Sequence, residues 1–291
     1  MSYIQSSLFL VQLVLQVSMI LLFFVTDVSF QIQAYLAGLL LCTVGIPHGA
    51  NDHLYDADKS VMGKVTFVVK YLGVMLLYAG LWWIAPILAL LLFFAISFHH
   101  FGQSNFQNPS IWYVPSLLWG IWILAFPVLL HFEEATSIFS AMLRFNATNT
   151  VAEPLGPPIH TWQLILAIGF AMVYASSLFF FERKHFFRYL AQFAGVSLWY
   201  TLTPLLFGFV VVFCLWHSIQ SLQHQSVYFR GHCKGTFRQF VLALVPFSIV
   251  ALGTVGLYVY FQGFAINDAF ILLSLITLPH IVIMHKLYAR L

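Results

Sequence analysis

Long apolar runs, separated by short stretches that carry polar residues, glycine or proline, occupy the chain from end to end. A helix that crosses a bilayer needs about 20 predominantly apolar residues, with roughly 17 to 25 tolerated. On that measure the pattern predicts ten helices, at roughly 7–25, 31–48, 65–81, 83–102, 111–131, 160–180, 188–203, 205–228, 238–261 and 268–287. The run 65–102 is too long for one crossing, and Gly80-Leu-Trp-Trp-Ile-Ala-Pro86 supplies a turn inside it. Thr203-Pro204 divides the seventh and eighth segments in the same way. Were either break only a kink, the count would fall to eight or nine. The expected fold is all-α: a polytopic transmembrane helix bundle of about ten spans, forming a single integral membrane domain over residues 1–291. A membrane β-barrel would instead alternate apolar and polar positions over strands of about ten residues.

Composition strengthens this reading. The chain is 61% hydrophobic and 7% charged, where a soluble domain carries about a quarter charged residues. A net charge of +3, scattered along the chain, argues against a nucleic-acid partner and leaves the lipid bilayer as the expected surroundings. Met1-Ser-Tyr-Ile-Gln lacks the positive start of a cleaved leader, so the first apolar run is expected to be retained. Cys42, Cys214 and Cys233 form no CxxC pair; the first two fall in apolar runs and are expected to be small core residues, the third lies in a basic loop. Asn146-Ala-Thr148 matches a glycosylation acceptor, a pattern too common to weigh.

Charge in the loops gives orientation, because Lys and Arg concentrate on the cytoplasmic side. With ten spans, Arg183, Lys184 and Arg188, then Arg230, Lys234 and Arg238, then Lys286 and Arg290 all fall on one side, with Lys59, Lys64 and the N-terminus. The longest opposite loop, 132–159, holds Glu133, Glu134, Glu153 and a single Arg144. Both termini are therefore expected to be cytoplasmic, in a multi-pass protein of the cell inner (cytoplasmic) membrane.

Candidate chemistry rests on histidine. Polar groups at membrane depth are costly and mark functional sites by default. His48 and His100 end the second and fourth segments, while His217 and His280 lie inside the eighth and tenth. The last two are each about 12 residues from the outer end, hence roughly 18 Å into a core about 30 Å thick. Four helices each contributing one imidazole is how a bundle builds an internal metal site. The alternative for any one of them is a histidine hydrogen-bonded to a neighbouring helix. Gly45, Pro47, Gly49, Gly102 and Pro279 would let the backbone bend beside the four. Asp52 could orient an imidazole from behind, and His53 beside it could be a further ligand or a cap at the helix end. His99 points about 100° from His100, so one of the pair can face the site squarely. His224 lies two turns after His217 on the same face. No phosphate-binding glycine loop, Ser/His/Asp arrangement or carboxylate pair within a span is present.

Pro47-His-Gly-Ala-Asn-Asp-His53, His100-Phe-Gly102, Trp216-His-Ser218 and Pro279-His280 occur in that order on successive apolar blocks. In this the chain resembles the Brp/Blh-type β-carotene 15,15'-dioxygenases, membrane-bound microbial enzymes that form retinal, from about the second span to the last. The resemblance implies cleavage of the central double bond of β-carotene with O2 into two molecules of all-trans-retinal, for use by a microbial rhodopsin. It also implies iron, Fe(2+), held by His48, His100 and His217. Many members carry a further histidine four residues after the His-Ser histidine; here that position is Ser221, and His280, then His53, are the candidates for the missing ligand. Two other readings stand beside this one. A desaturase or hydroxylase would need about eight ligands and His-x-x-His-His boxes, which are absent. A haem protein or carotenoid carrier could use His217 and His280 at equal depth, and a Soret band would identify the former.

Overall fold

A computed structural model describes residues 3–55, 60–106, 108, 110–143, 160–263 and 265–290. Lys59, Arg144, Glu153 and the Asn146 sequon lie outside the described residues. All regular structure among the described residues is helical. In chain order the α-helices are α1 (Tyr3–Val25), α2 (Phe30–Leu40), α3 (Val61–Ile84), α4 (Pro86–Phe106), α5 (Val114–Leu130), α6 (Phe132–Met142), α7 (Thr161–Phe181), α8 (Phe186–Leu202), α9 (Leu205–Val212), α10 (Ile219–His232), α11 (Phe237–Gln262) and α12 (Ile266–Tyr288).

Each predicted segment has a helical counterpart. Both proposed turns are real: α3 stops at Ile84 before Pro86 opens α4, and α8 stops at Leu202 before Pro204 caps α9. Proline explains both, since it cannot supply the interior N–H and is tolerated where a helix begins. The count of candidate crossings among the described residues is smaller than ten. Eight helices are long and apolar enough to cross a membrane, or nine if α5 and α6, bent by 103°, form one broken span. The seventh predicted segment, 188–203, is α8, which at 17 residues is shorter than those eight. Part of the long loop expected after residue 131 is helical: α6 carries Glu133 and Glu134 in its first turn and turns away from α5 at His131.

The eighth segment is the axis of the bundle. It runs from Leu205 to His232 through α9, a π-helical stretch and α10, and 72% of its most apolar window is buried, against 11% for Val61–Ile84. Its flanks hold a core of aromatic side chains, among them Trp119, Trp122, Trp199, Tyr200 and Trp216. Apolar side chains such as Leu76, Leu77, Ile84 and Val250 face outward, as they must on helices bathed in lipid. Cys214 is buried as expected; Cys42 is exposed, because α2 and the segment after it present that face outward.

The helices α4 and α5 meet more closely than any side chain would permit. A Cβ at Gly102 would overlap the backbone carbonyl of Ser116, and one at Gly120 the carbonyl of Phe98. Small residues at a crossing let two membrane helices bring their backbones together. Here the close approach fixes the C-terminal half of α4, which carries His100.

Candidate metal centre

Three of the four histidines, His48, His217 and His280, sit where regular α-helical hydrogen bonding has been broken or bent. The second segment passes from α2 into a π-helical stretch, Leu41–Gly45, and then a 3-10 turn, Pro47–Gly49. Ile46 N–H reaches back to Leu41 O, and Gly49 N–H turns to Ile46 O. The Gly45 carbonyl is thereby left without its usual partner, and it accepts a hydrogen bond from His48 Nδ1. The second π-helical stretch, Phe213–Ser218, contains His217. The Leu215 carbonyl there accepts from Gln12 Nε2 of α1, and Trp216 Nε1 donates to Gln16 Oε1 at 3.0 Å. The two π-stretches touch: a Cβ on Gly45 would lie 3.2 Å from Cys214 Sγ. Single π-turns inside α-helices concentrate at functional sites because they re-aim side chains without ending the helix. His280 follows Pro279 inside α12, and His100 lies on the buried face of α4.

The four imidazoles form a closed ring. Ring centroids are 5.3 Å apart for His48 and His217, 4.6 Å for His217 and His100, 5.2 Å for His100 and His280, and 5.0 Å for His280 and His48. All four side chains are buried, the most exposed being His48 at 8%. Four ring nitrogens about 2.1 Å from one divalent ion place neighbouring centroids roughly 4.6 to 5.3 Å apart, for angles between square and tetrahedral. The observed spacing matches. Among the described residues no group of three or more His, Cys, Asp or Glu is placed so that it could hold a metal ion as it stands; what the four rings share with a ligand set is their spacing.

Hydrogen bonds behind the rings fix which nitrogen faces inward. His280 Nδ1 lies 2.8 and 2.9 Å from the two oxygens of Asp52, a carboxylate that can only accept. Tyr71 Oη donates to the same carboxylate at 3.0 Å. Ser104 Oγ donates to Phe101 O, so it accepts from His217 Nδ1 at 3.0 Å. His48 Nδ1 donates to Gly45 O. Three rings thus carry their proton on Nδ1 and their lone pair on Nε2, and such outer partners are what orient metal-binding histidines. The Nε2 atoms of His217 and His280, and both nitrogens of His100, are buried with no hydrogen-bond partner among the described residues. Leaving a buried polar atom unmet costs about 1–3 kcal/mol, and three neighbouring rings doing so fits a shared ligand. Neutral imidazoles are a donor set for iron, copper, zinc or nickel.

The remaining candidates fall outside the ring. His53 packs on Phe247, with centroids 4.3 Å apart. His99 turns to His285, Nε2 to Nδ1 at 3.4 Å. His224 Nδ1 lies 3.1 Å from Tyr288 Oη. Ser221 is fully buried and accepts from Gln225 Nε2, which also donates to the His48 carbonyl at 2.7 Å. The position where the family's fourth imidazole would stand therefore helps, through Gln225, to hold the backbone of His48. Gln12 and Gln16, one turn apart in a highly apolar helix, are site-building residues that sequence reasoning passed over, although polar groups at membrane depth were the signal. Tyr71 gave none.

Two cavities flank the ring. Leu90, Phe93 and Phe94 of α4, and Leu205, Leu206 and Phe209 of α9, line an apolar chamber closed on one side by Ile138 and Phe139 of α6. It communicates with the ring by contact: Phe209 stacks on Phe213 and Phe213 on His217. Beyond the histidines on the same helices, Ser104, Asn105, Gln220, Gln223 and His224 line a polar cavity of about 250 Å³.

Comparison with known proteins is consistent along the chain. The family model described as "Beta-carotene 15,15'-dioxygenase" matches residues 39–288. The beta-carotene 15,15'-dioxygenase of the uncultured marine bacterium 66A03 is 24% identical over 271 residues, covering 86% of this chain and 92% of the relative. The probable beta-carotene 15,15'-dioxygenase Blh of Halobacterium salinarum is 26% identical over 306 residues, covering 89% and 86%. No solved structure matches.

Proposed function

This chain belongs to the beta-carotene 15,15'-dioxygenase family, and on that premise we infer that it is an iron-dependent membrane enzyme cleaving the 15,15' bond of β-carotene with O2 into two molecules of retinal. The observation that carries the reading is the closed ring of His48, His100, His217 and His280, with the inward nitrogens of the last three unmet. Iron bound there would supply the activation of O2 that no side chain can. Four imidazoles are half the ligands a desaturase-type pair of irons requires, which favours the single-metal reading.

The side chains account for the rest. Both oxygen atoms of O2 end in the two aldehydes, so the cleavage consumes no proton and needs no general acid or base. Asp52 is the carboxylate hydrogen-bonded to the ring, and it is engaged by His280 and Tyr71. The lining of the apolar chamber matches a hydrocarbon arm in chemistry, since it offers aromatic and aliphatic surface and a polar ligand would lose its hydrogen bonds there, but its volume is about 50 Å³ and it would have to widen to admit one. Phe101 and Phe213, stacked on His217 with centroids 4.3 and 5.6 Å away, would keep water from the reacting bond. Counting α5 and α8 as crossings would give ten spans, with both termini on the cytoplasmic side of the inner membrane.

Expression in bacteria that accumulate β-carotene tests the assignment. Cells producing the chain should lose their orange colour and accumulate retinal, and cells producing His217→Ala should keep it. Persistent colour with folded, iron-loaded protein would remove β-carotene as the substrate. A smaller effect is expected behind the ring. Asp52→Asn should weaken metal binding by about 10–100-fold, and Tyr71→Phe by less, because the first alters the charge that holds His280 and the second a hydrogen bond to that charge. Titration of the metal-free protein in detergent would measure both, and equal affinities in all three proteins would contradict the role given to Asp52.

A further inference from the structure

We propose that the polar cavity beside the ring is a hydrated vestibule through which the metal ion reaches and leaves the histidines. This rests on the metal-centre reading above, and it assigns a function to a cavity that cleavage of a hydrocarbon leaves unused. The ring is enclosed, so an ion needs a path. On one side stands the apolar chamber; around the bundle stands an apolar outer surface. Neither can replace the water of a divalent cation, for which desolvation without oxygen or nitrogen partners is prohibitive.

The polar cavity offers those partners in sequence. Its mouth carries Glu182 and His185, half-buried at the surface-facing turn between α7 and α8. Deeper in, Gln12 and Gln220 are 1% and 8% exposed, and the amide oxygen of each has no hydrogen-bond partner among the described residues. Gln223 Nε2 is likewise unmet. Buried acceptors and donors gathered round a roomy cavity are where ordered water resides, and amide oxygens of this kind can also meet a hydrated cation. The inner end is Ser104, whose hydroxyl touches His217. Arg188 shares the wall with its guanidinium 4.2 Å above the Phe9 ring. Its charge is offset by Glu182, so passage depends on the neutral oxygen and nitrogen donors rather than on a net negative field.

The direction of the path is set by two helices at once. In α4 the order is chamber residues, His100, then Ser104 and Asn105; in the axial span it is Phe209, His217, then Gln220, Gln223 and His224. Seven residues separate Phe93 from His100, or about 10 Å of helix. Substrate arm and metal path therefore lie on opposite sides of the ring.

The test is the rate of metal exchange in the full-length protein. Metal-free protein in detergent is mixed with Co(II), and uptake and EDTA-driven release are followed by absorbance. Gln223→Trp, which fills the cavity, and Gln220→Leu, which removes an acceptor, should each slow uptake and release by about tenfold or more. Equilibrium affinity should stay within about twofold, since a barrier has been raised and no ligand removed. Unchanged rates in both variants overturn the proposal, as does equal slowing by Ile138→Trp in the apolar chamber. If the unaltered protein takes up no Co(II) at equilibrium, the metal centre itself falls with it; normal binding at unaltered rates defeats the vestibule alone.

Discussion

Replacing His280 with alanine is expected to empty the metal centre and abolish retinal formation, with a loss greater than the roughly 100-fold ceiling typical of an outer hydrogen-bond partner. The same change at His53 should leave both metal content and activity close to those of the unaltered protein. The pair decides which histidine stands in for the one missing at Ser221. His280 lies 5.0 and 5.2 Å from His48 and His100 by ring centroid, whereas His53 lies against Phe247. Alanine at 280 also strips Asp52 of the imidazole that shares its buried pocket, and losing a hydrogen bond to a charged group costs about 1.5–3 kcal/mol. His280→Asn separates the two effects, because its amide can still donate to Asp52. Iron per chain and retinal yield, measured on protein that remains monodisperse, are the readouts. Full activity in His280→Ala would remove it from the ligand set.

Gly102→Ala is expected to be, with Gly120→Ala, among the most damaging single methyl groups at the described glycines. The added Cβ would overlap the Ser116 carbonyl, and backbone cannot step aside as a flexible side chain can. Overpacking a close-packed interior costs about 1–3 kcal/mol, occasionally more, and a collision with backbone belongs at the upper end. Because Gly102 follows His100 by two residues, whatever protein survives should also hold metal poorly. Gly73→Ala is the control: nothing lies within 4 Å of its Cβ, and alanine favours an α-helix by up to about 1 kcal/mol over glycine. Thermal aggregation in detergent would rank the variants, with Gly102→Ala far below and Gly73→Ala at or above the starting protein. Equal midpoints would refute the backbone contact.

The helices were legible in the sequence because apolar length is itself the physical requirement for a crossing. Proline at 86 and 204 also marked the breaks correctly. Length alone could not separate α8, with 17 residues, from a full span, or foresee that the chain after His131 would turn through 103° into another helix. In the centre, the four ring members could be named from their places inside or at the ends of apolar runs, but not their order around the ring. That order depends on two π-helical stretches, which shift the side-chain phase in a way no apolar periodicity records. Asp52 was visible as a neighbour of His53 in sequence, yet its partner is His280, 228 positions away. Tyr71 is one of many aromatic residues in an apolar helix, and only the fold distinguishes it.

The ring draws one histidine each from the second, fourth, eighth and last predicted segments, and closing it needs His280 from α12. Chains are synthesised from the N-terminus and fold as they emerge. On that order the first three imidazoles would precede the fourth, leaving one side of the ring open, and Asp52 would have Tyr71 but not yet His280 as a partner. The final helix is therefore a keystone: metal capture, the quieting of a buried carboxylate and the docking of α12 against α3 and α4 are expected to be one event. A chain halted before Pro279 would have most of its helices and no centre.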